Sequence, residues 1–216
     1  MAATNETHDG GLSSWVSAAN GADTDFPIQN LPFGVFRRHG DDEPFRGGVA
    51  IGDQILDMAA CAKAGFFDGV AAAAAAAAAE PTLNSLMALG PIHWSALRLA
   101  VSRHLRTGSA DQMAGAAALV PMDEVEYAVP GAIANFTDFY TSIDHAYNGG
   151  RLSRPDTPLF PNFKHLPVAY HGRASSVTVS GAPCRRPWGQ IVRPGADGPT
   201  FEPSRMLDYE MEIGAY

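Results

Sequence analysis

The chain is poor in cysteine and in basic residues, and both shortages limit what it can be. Its two cysteines, Cys61 and Cys184, lie far apart and match no metal or redox spacing, so we expect free thiols in a reducing cytoplasm. The formal net charge is −8, and no stripe of basic residues interrupts the acidic balance. A nucleic-acid partner is therefore not expected, because a phosphate backbone requires a basic surface.

Signals for export and for membrane insertion are also missing. The first 24 residues are polar and rich in Gly, Ser and Ala, without the basic start and apolar core of a secretory signal. No apolar run reaches transmembrane length unless the alanines at 71–79 are counted as lipid-facing. With 216 residues, 46% of them apolar, the chain has the length for one or two domains with a real core. We therefore expect a cytoplasmic protein with no membrane partner.

The residues after position 24 predict short strands followed by helices. Alternating apolar residues favour strands near 33–37, 46–51 and 54–58, with a hairpin turn at Gly52-Asp53. A small β-barrel is the natural way to close so few short strands. After Pro91 the apolar spacing indicates an amphipathic helix that ends at Gly108.

Nine consecutive alanines, Ala71 to Ala79, leave two interpretations open. Alanine has the highest helix propensity, so the run suits a helix with no face to bury. A low-complexity insertion is equally consistent with it. Further on, Pro121 and Pro130 bracket a predicted strand, and a domain boundary is expected near residues 120–130.

The side chains best suited to chemistry concentrate between Asn135 and Ser176. Asp138 and Tyr140 are two residues apart, so on an extended segment their side chains leave the same face. Thr141 or Ser142 can cap a short helix over residues 143–147, and the Asn-Gly-Gly that follows is typical of a helix end.

That short helix carries His145 close to the end of the predicted strand. Arg154 follows in a segment that Pro155 and Pro158 are expected to keep extended. A histidine near a carboxylate, with an arginine and a tyrosine in reach, suits base catalysis on an anionic substrate. A lone histidine in a loop-rich stretch is also typical of a surface or structural residue, so the residues alone leave both interpretations open.

The last residues alternate with a period of two. Leu207, Tyr209, Met211 and Ile213 would lie on one face of a strand, and Asp208, Glu210 and Glu212 on the other. Two glutamates roughly 6.5–7 Å apart at Cα can converge on one hard cation, and oxygen ligands favour calcium or magnesium over zinc. A half-exposed strand with an acidic outer face is the alternative.

Six ordered stretches together give a more specific signal than any single motif. They are FPIQNLPFGVF (26–36), GVAIGDQILD (48–57), TLNSLMALG (82–90), TDFY (137–140), HLPVAYHGRASSV (165–177) and LDYEME (207–212). Together they resemble the fumarylacetoacetases, C–C bond hydrolases that end tyrosine and phenylalanine breakdown. The resemblance covers most of the chain from Asp25 to Ile213.

The resemblance implies a mainly β fold with some α structure. Residues 25–125 would form an SH3-like β-barrel domain, and residues 126–216 would begin a mixed β-roll catalytic domain that is incomplete here. Residues 1–24 and the alanine run fall outside the resemblance, and 1–24 are expected to be loosely ordered. The resemblance also implies a homodimer.

The resemblance assigns roles to seven positions. By match to the family motifs, the metal ligands are Asp138, Glu210 and Glu212, the base that activates water is His145, and the substrate contacts are Tyr140, Arg154 and Tyr170. The implied reaction is hydrolysis of 4-fumarylacetoacetate, a diketo acid, to fumarate and acetoacetate with a bound Ca²⁺ or Mg²⁺.

The family continues for about as long again beyond the position of Tyr216. It places there a fourth metal carboxylate, the acidic partner of the histidine, and the groups around the developing negative charge. The alternative expectation is therefore a truncated, catalytically inactive fragment that acts only as a binding or assembly module.

Overall fold

The computed structural model describes residues 4–40 and 42–216, which form two compact units. The first unit ends at Val177, and the second is Thr178–Tyr216. This division differs from the expected boundary at 125/126, which stays a prediction. In the described ranges, no helix is both long enough and apolar enough to cross a bilayer.

An open, antiparallel five-stranded sheet forms the centre of the first unit. Its strands are β1 (Phe33–Arg38), β2 (Arg46–Ile51), β3 (Gln54–Asp57), β4 (Leu119–Pro121) and β5 (Val125–Ala128). They are ordered β4-β3-β2-β1-β5, so β4 and β5 are edges. The predicted barrel is thus not confirmed, because no sheet in the described chain closes on itself.

Six α-helices accompany the strands in the described part of the chain. They are α1 (Met58–Ala64), α2 (Gly69–Ala78), α3 (Asn84–Ala88), α4 (Pro91–Leu105), α5 (Gln112–Ala116) and α6 (Ile143–Ser153). Among the described residues, more lie in these helices than in strands. The fold is therefore mixed α and β, and the expectation of a mainly β chain is corrected.

The three N-terminal strands form where the alternating pattern predicted them. In the β2–β3 hairpin, Ile51 pairs with Gln54 across a two-residue turn. Gly52 has φ +59°, the left-handed conformation that such a turn requires. A side chain there would also meet the backbone of residues 18 and 19. Local pattern and turn chemistry agree, and the hairpin prediction is confirmed.

The alanine run is a helix with a buried face, and the expectation of a helix with no face to bury is wrong. Ala74 and Ala78 of α2 are 0% exposed, and α2 packs against α1 and α4. A Cβ on Gly47 of β2 would lie 2.0 Å from the carbonyl oxygen of Ala78. Only small side chains allow backbones to approach so closely, which explains how a helix of alanines contributes to the core.

The N-terminal segment is also packed, in contrast to the loosely ordered segment expected for residues 1–24. Thr7 is 0% exposed, and its hydroxyl accepts a hydrogen bond from Arg98 of α4. The Ser14 hydroxyl and the Trp15 indole donate to the carbonyls of Leu105 and His104. The last carbonyls of a helix lack intrahelical donors, and this segment supplies them. Polar composition here reflects helix capping rather than disorder; Met1–Ala3 lie outside the described residues.

Two antiparallel pairs of short strands complete the described sheets. In the first unit β6 (Thr137–Phe139) pairs with β7 (Ala169–His171), and in the second β8 (Trp188–Ile191) pairs with β9 (Thr200–Pro203). The strand predicted over 207–213 is not formed, since no described strand pairs with these residues. Unpaired backbone groups favour water over an isolated strand, and Met211 and Ile213 are 95% and 99% exposed.

Candidate active site

A two-stranded ladder fixes the first pair of candidate residues. In the β6–β7 pairing, Asp138 lies directly opposite Tyr170. The Tyr170 hydroxyl donates a hydrogen bond of 2.7 Å to Oδ2 of Asp138, across 32 residues of sequence. A hydrogen bond to a carboxylate is short and strong compared with one between neutral groups. The ladder therefore sets the orientation of the Asp138 carboxylate.

Tyr140 extends the same ladder by one residue and connects it to α6. Its backbone N–H donates to the carbonyl of Val168 at 2.8 Å. The Tyr140 ring meets the His145 ring edge-on, with centroids 5.4 Å apart and planes at 76°. A Cβ built on Gly149 would lie 3.6 Å from the Tyr140 hydroxyl. Since residues four apart share a helix face, Tyr140 contacts the face of α6 that carries both His145 and Gly149.

The cap of α6 forms as predicted, but the predicted end of the helix is wrong. Ser142 is the N-cap, and its hydroxyl accepts from the backbone N–H of His145 at 3.4 Å. The helix then continues through both glycines to Ser153. A Cβ on Gly150 would lie 2.0 Å from the carbonyl oxygen of Pro158. Close approach of the chain after the helix, rather than helix termination, explains this glycine.

His145 lies on the exposed side of α6, where its imidazole is open to solvent. The Asp138 carboxylate accepts its hydrogen bond from Tyr170 rather than from this histidine. Tyr140 is the ring that contacts His145. The structure thus brings four of the predicted residues, Asp138, Tyr140, His145 and Tyr170, into one connected arrangement around the end of β6.

Arg154 caps the C-terminal end of α6 instead of lying in an extended segment. Its guanidinium stacks over the Phe160 ring at 4.3 Å from the centroid and donates to the carbonyl of Pro158 at 3.4 Å. The helix runs longer than expected, so the residue that was predicted to follow a loop follows the helix directly. The guanidinium remains exposed, and its charge is available to an anion.

An open cleft of about 310 Å³ lies beside Tyr140. It is lined by Tyr140, Thr141 and residues 163–168. Sequence reasoning did not assign a role to Phe163 or Lys164. The available signal was an aromatic and basic cluster, FPNFKH, held between prolines in a stretch already rich in candidate residues.

The two glutamates of the predicted metal site belong to the second unit. Glu210 and Glu212 are exposed there, in a segment without regular secondary structure. Within the described chain, no three His, Cys, Asp or Glu side chains are grouped as a metal centre. The three predicted ligands are divided between two units, so their role stays a prediction.

Comparison with known proteins gives one consistent result. Residues 29–130 match the family model described as fumarylacetoacetase N-terminal. The chain is 43% identical over 211 residues to the fumarylacetoacetase of Oryza sativa subsp. japonica, which covers 94% of this chain and 49% of that protein. It is 42% identical over 199 residues to the fumarylacetoacetase of Homo sapiens, covering 90% of this chain and 47% of that protein.

The chain spans about half the length of the curated relatives it matches. The fumarylacetoacetase of Arabidopsis thaliana gives the same result, with 40% identity over 200 residues and 47% of that protein covered. The matches extend over nearly all of the present chain and include the ladder and helix described above. Over nearly its whole length, the chain is therefore similar in sequence to the N-terminal half of the fumarylacetoacetases.

Proposed function

We propose that the protein carrying this chain hydrolyses the C–C bond of 4-fumarylacetoacetate to give fumarate and acetoacetate, the last step of tyrosine and phenylalanine catabolism. The observation that carries the proposal is the connected arrangement at the end of β6. There the Asp138–Tyr170 hydrogen bond lies next to the contact between Tyr140 and His145. Similarity to proteins named fumarylacetoacetase over 94% of the chain supports the choice of reaction.

His145 is the general base of this proposal. Its imidazole is solvent-exposed, so a water molecule can reach it, and the edge contact with Tyr140 limits how the ring turns. A positioned histidine that takes the proton from water contributes about 10²–10⁴-fold to a rate. The activated water adds to the carbonyl beside the bond to be cut, the C–C bond breaks, and its electron pair leaves as an enolate. The enolate then takes a proton, which regenerates the neutral base directly or through solvent, to give acetoacetate.

A divalent cation fits the donor set that Asp138, Glu210 and Glu212 would provide. All three are carboxylates, the ligands that Ca²⁺ and Mg²⁺ prefer. Asp138 accepts a hydrogen bond from Tyr170, an outer-shell contact of the kind that orients metal-binding carboxylates. When bound, such an ion supplies Lewis acidity toward carbonyl oxygens.

Substrate recognition is assigned to Tyr140, Tyr170 and Arg154. The substrate is a dianion, and a guanidinium forms two parallel hydrogen bonds with a carboxylate. Arg154 is exposed, and its contacts with Phe160 and Pro158 are interactions that a stronger anionic partner can replace. Tyr140, two residues along the chain from Asp138, adds a neutral donor, and the Tyr170 hydroxyl, whose hydrogen goes to Asp138, can accept a hydrogen bond.

The test is hydrolysis of fumarylacetoacetate by the native protein and by two histidine variants. We expect His145→Ala to lower kcat by about 10²–10⁴-fold, with the affinity for Ca²⁺ or Mg²⁺ unchanged. His39→Ala, which changes a histidine outside α6 and outside the cleft, serves as the matched control and should retain full activity. Turnover that survives in His145→Ala shows that another group is the base.

Further features of the proposal rest on the resemblance to the family. We propose that the complete protein is a cytoplasmic homodimer with an SH3-like N-terminal barrel and a β-roll catalytic domain beginning near residue 126. The second candidate function is an inactive binding or assembly module. It is favoured by the exposed, irregular segment that contains Glu210 and Glu212. Hydrolysis by the purified 216-residue chain would exclude the second candidate.

A further inference from the structure

We propose that the cleft beside Tyr140 binds the fumaryl end of the substrate, with Lys164 as the cation that pairs with its carboxylate. This inference rests on the proposed function for the identity of the ligand. The cleft itself does not depend on that function, because it is a feature of the first unit with its own volume and lining. Lys164 is assigned here as a specificity-determining residue, in addition to Tyr140, Arg154 and Tyr170.

The backbone places the cleft next to the proposed catalytic residues. In the β6–β7 ladder Phe139 pairs with Ala169, and the hydrogen bond from Tyr140 to Val168 continues that pairing. Asp138 and Tyr140 are two residues apart on one strand, so their side chains leave the same face. A ligand in the cleft therefore contacts Tyr140, whose ring also contacts His145.

Lys164 is held in a hydrogen-bonded turn that faces this cleft. The backbone N–H groups of Phe163 and His165 donate to the carbonyls of Phe160 and Asn162, at 3.0 and 2.9 Å. These bonds fix the backbone on both sides of Lys164, so little backbone freedom is lost when its ammonium binds a ligand. No carboxylate of the described residues forms an ion pair with Lys164. In contrast, most arginines on the sheet and on α4 have acidic partners or carbonyl acceptors.

The shape and the walls of the cleft select the kind of ligand. A volume of about 310 Å³ is at the lower end for small-molecule sites. Its walls are mostly apolar, and the Tyr140 and Phe163 rings stand edge to face, with centroids 6.3 Å apart and planes at 84°. A flat, conjugated, four-carbon acid can stack on one ring while the other closes its edge. The fumaryl end has this shape, whereas the acetoacetyl end is bent at its methylene carbon and carries an extra ketone.

The chain offers a matched control because it contains only two lysines, Lys63 and Lys164. Lys63 lies in the last turn of α1 and does not line the cleft. We would titrate the 216-residue chain, and its Lys164→Met and Lys63→Met variants, with fumarate and separately with acetoacetate. Binding would be followed by two-dimensional NMR of the backbone amides. Methionine keeps an apolar stem of similar length and removes the charge, so folding is preserved.

We expect fumarate to shift the amides of residues 163–168 and of Tyr140. Lys164→Met should weaken this binding by about 1.5- to five-fold, the range for an exposed ion pair. Lys63→Met should leave it unchanged, and the affinity for acetoacetate should not depend on Lys164. Equal fumarate affinity in both variants overturns the proposal, as does a Lys164 effect confined to acetoacetate.

Hydrolysis of fumarylacetoacetate by the native protein and its Lys164→Met variant separates this inference from the proposed function. A raised KM with kcat nearly unchanged supports a role in binding rather than in chemistry. Hydrolysis with an unchanged KM overturns the role of Lys164 and leaves the proposed function standing. Fumarate binding through Lys164 without any hydrolysis has the opposite meaning: the cleft assignment stands and the proposed reaction is wrong.

Discussion

The two adjacent glycines of α6 should respond in opposite ways to the same substitution. Gly149 and Gly150 both lie inside Ile143–Ser153 with helical backbone angles, so alanine suits the backbone at either site. Their surroundings differ. A Cβ on Gly149 meets only the Tyr140 hydroxyl at 3.6 Å, an ordinary van der Waals contact. A Cβ on Gly150 meets the carbonyl oxygen of Pro158 at 2.0 Å and its carbonyl carbon at 2.8 Å.

The expected difference in stability between Gly149→Ala and Gly150→Ala excludes the gain in helix propensity, because both variants share it. Replacing glycine with alanine in a helix interior stabilises the helix by about 0.8–1 kcal/mol. Gly149→Ala should therefore stabilise α6 by close to this amount. Gly150→Ala gains the same propensity but forces two backbone segments apart, which costs about 1–3 kcal/mol by analogy with overpacked cores. The difference between the variants isolates the clash, so we expect Gly150→Ala to be less stable by about 1–3 kcal/mol.

Amide hydrogen exchange of α6 is the appropriate assay, because this helix can open without global unfolding. The exchange rates of its amides give the opening free energy in each variant. A urea unfolding curve for the whole chain serves as a control for global effects. Equal opening free energies in the two variants would refute the argument, and they would mean that the segment at Pro158 does not pack on the helix as described.

Three further predictions concern packing in the core, the pH dependence of stability, and the acidic segment that contains Glu210 and Glu212. Ala74→Leu should destabilise the fold by about 1–3 kcal/mol in urea unfolding, whereas Ala76→Leu, on the exposed side of α2, should be nearly neutral. Burial lowers the pKa of His104, so the unfolded state binds the proton more readily than the folded state. The free energy of unfolding should therefore fall as the pH drops below about 6.5. His104→Phe should remove this contribution to the dependence of the unfolding free energy on pH. Replacing both Glu210 and Glu212 with alanine should weaken Ca²⁺ or Mg²⁺ binding measured by calorimetry on the native protein, and an unchanged affinity would mean that this acidic segment is only solvated.

The parts of the fold that could be predicted from sequence depend on local signals. The β2–β3 hairpin needs only alternating apolar residues and a glycine at the turn, and both are visible in the sequence; in the structure Gly52 takes the positive φ that the turn requires. The Ser142 cap of α6 is similarly local. The buried face of the alanine helix was not predictable, because alanines carry no amphipathic pattern. Their burial depends on neighbours such as Gly47, whose missing side chain leaves room for the helix end.

A loosely ordered segment was predicted for residues 1–24 for a related reason. Small polar residues without periodicity are typical of flexible segments. Here the same residues form hydrogen bonds with the carbonyls at the end of α4, more than 80 positions away in sequence. A single sequence shows the composition of such a segment but not its partners. Bonds between Ser14 and Leu105, or between Trp15 and His104, become visible only when the chain is folded.

In the candidate site too, the local features were predictable from sequence and the long-range contacts were not. The pairing of Asp138 with Tyr170 spans 32 residues and depends on the register of two three-residue strands. Spacing alone could not predict that register, so the role of Tyr170 came only from the family resemblance. Once formed, the ladder positions Tyr140, and the Ser142 cap then positions His145 one helical turn later. This half of the site is built by contacts within the first unit.

The acidic segment at 207–213 forms no strand in the described chain. Its alternating pattern specifies which residues would share a face, but a strand forms only when its backbone groups find a partner strand. Tyr209, Met211 and Ile213 are each at least 89% exposed, so the apolar side of the pattern is as solvated as the acidic side. The arrangement of His145, Tyr140 and the cleft beside Tyr140 is therefore the part of the candidate site that contacts within the first unit define. The fumarate titration examines that part without requiring the tail to be ordered.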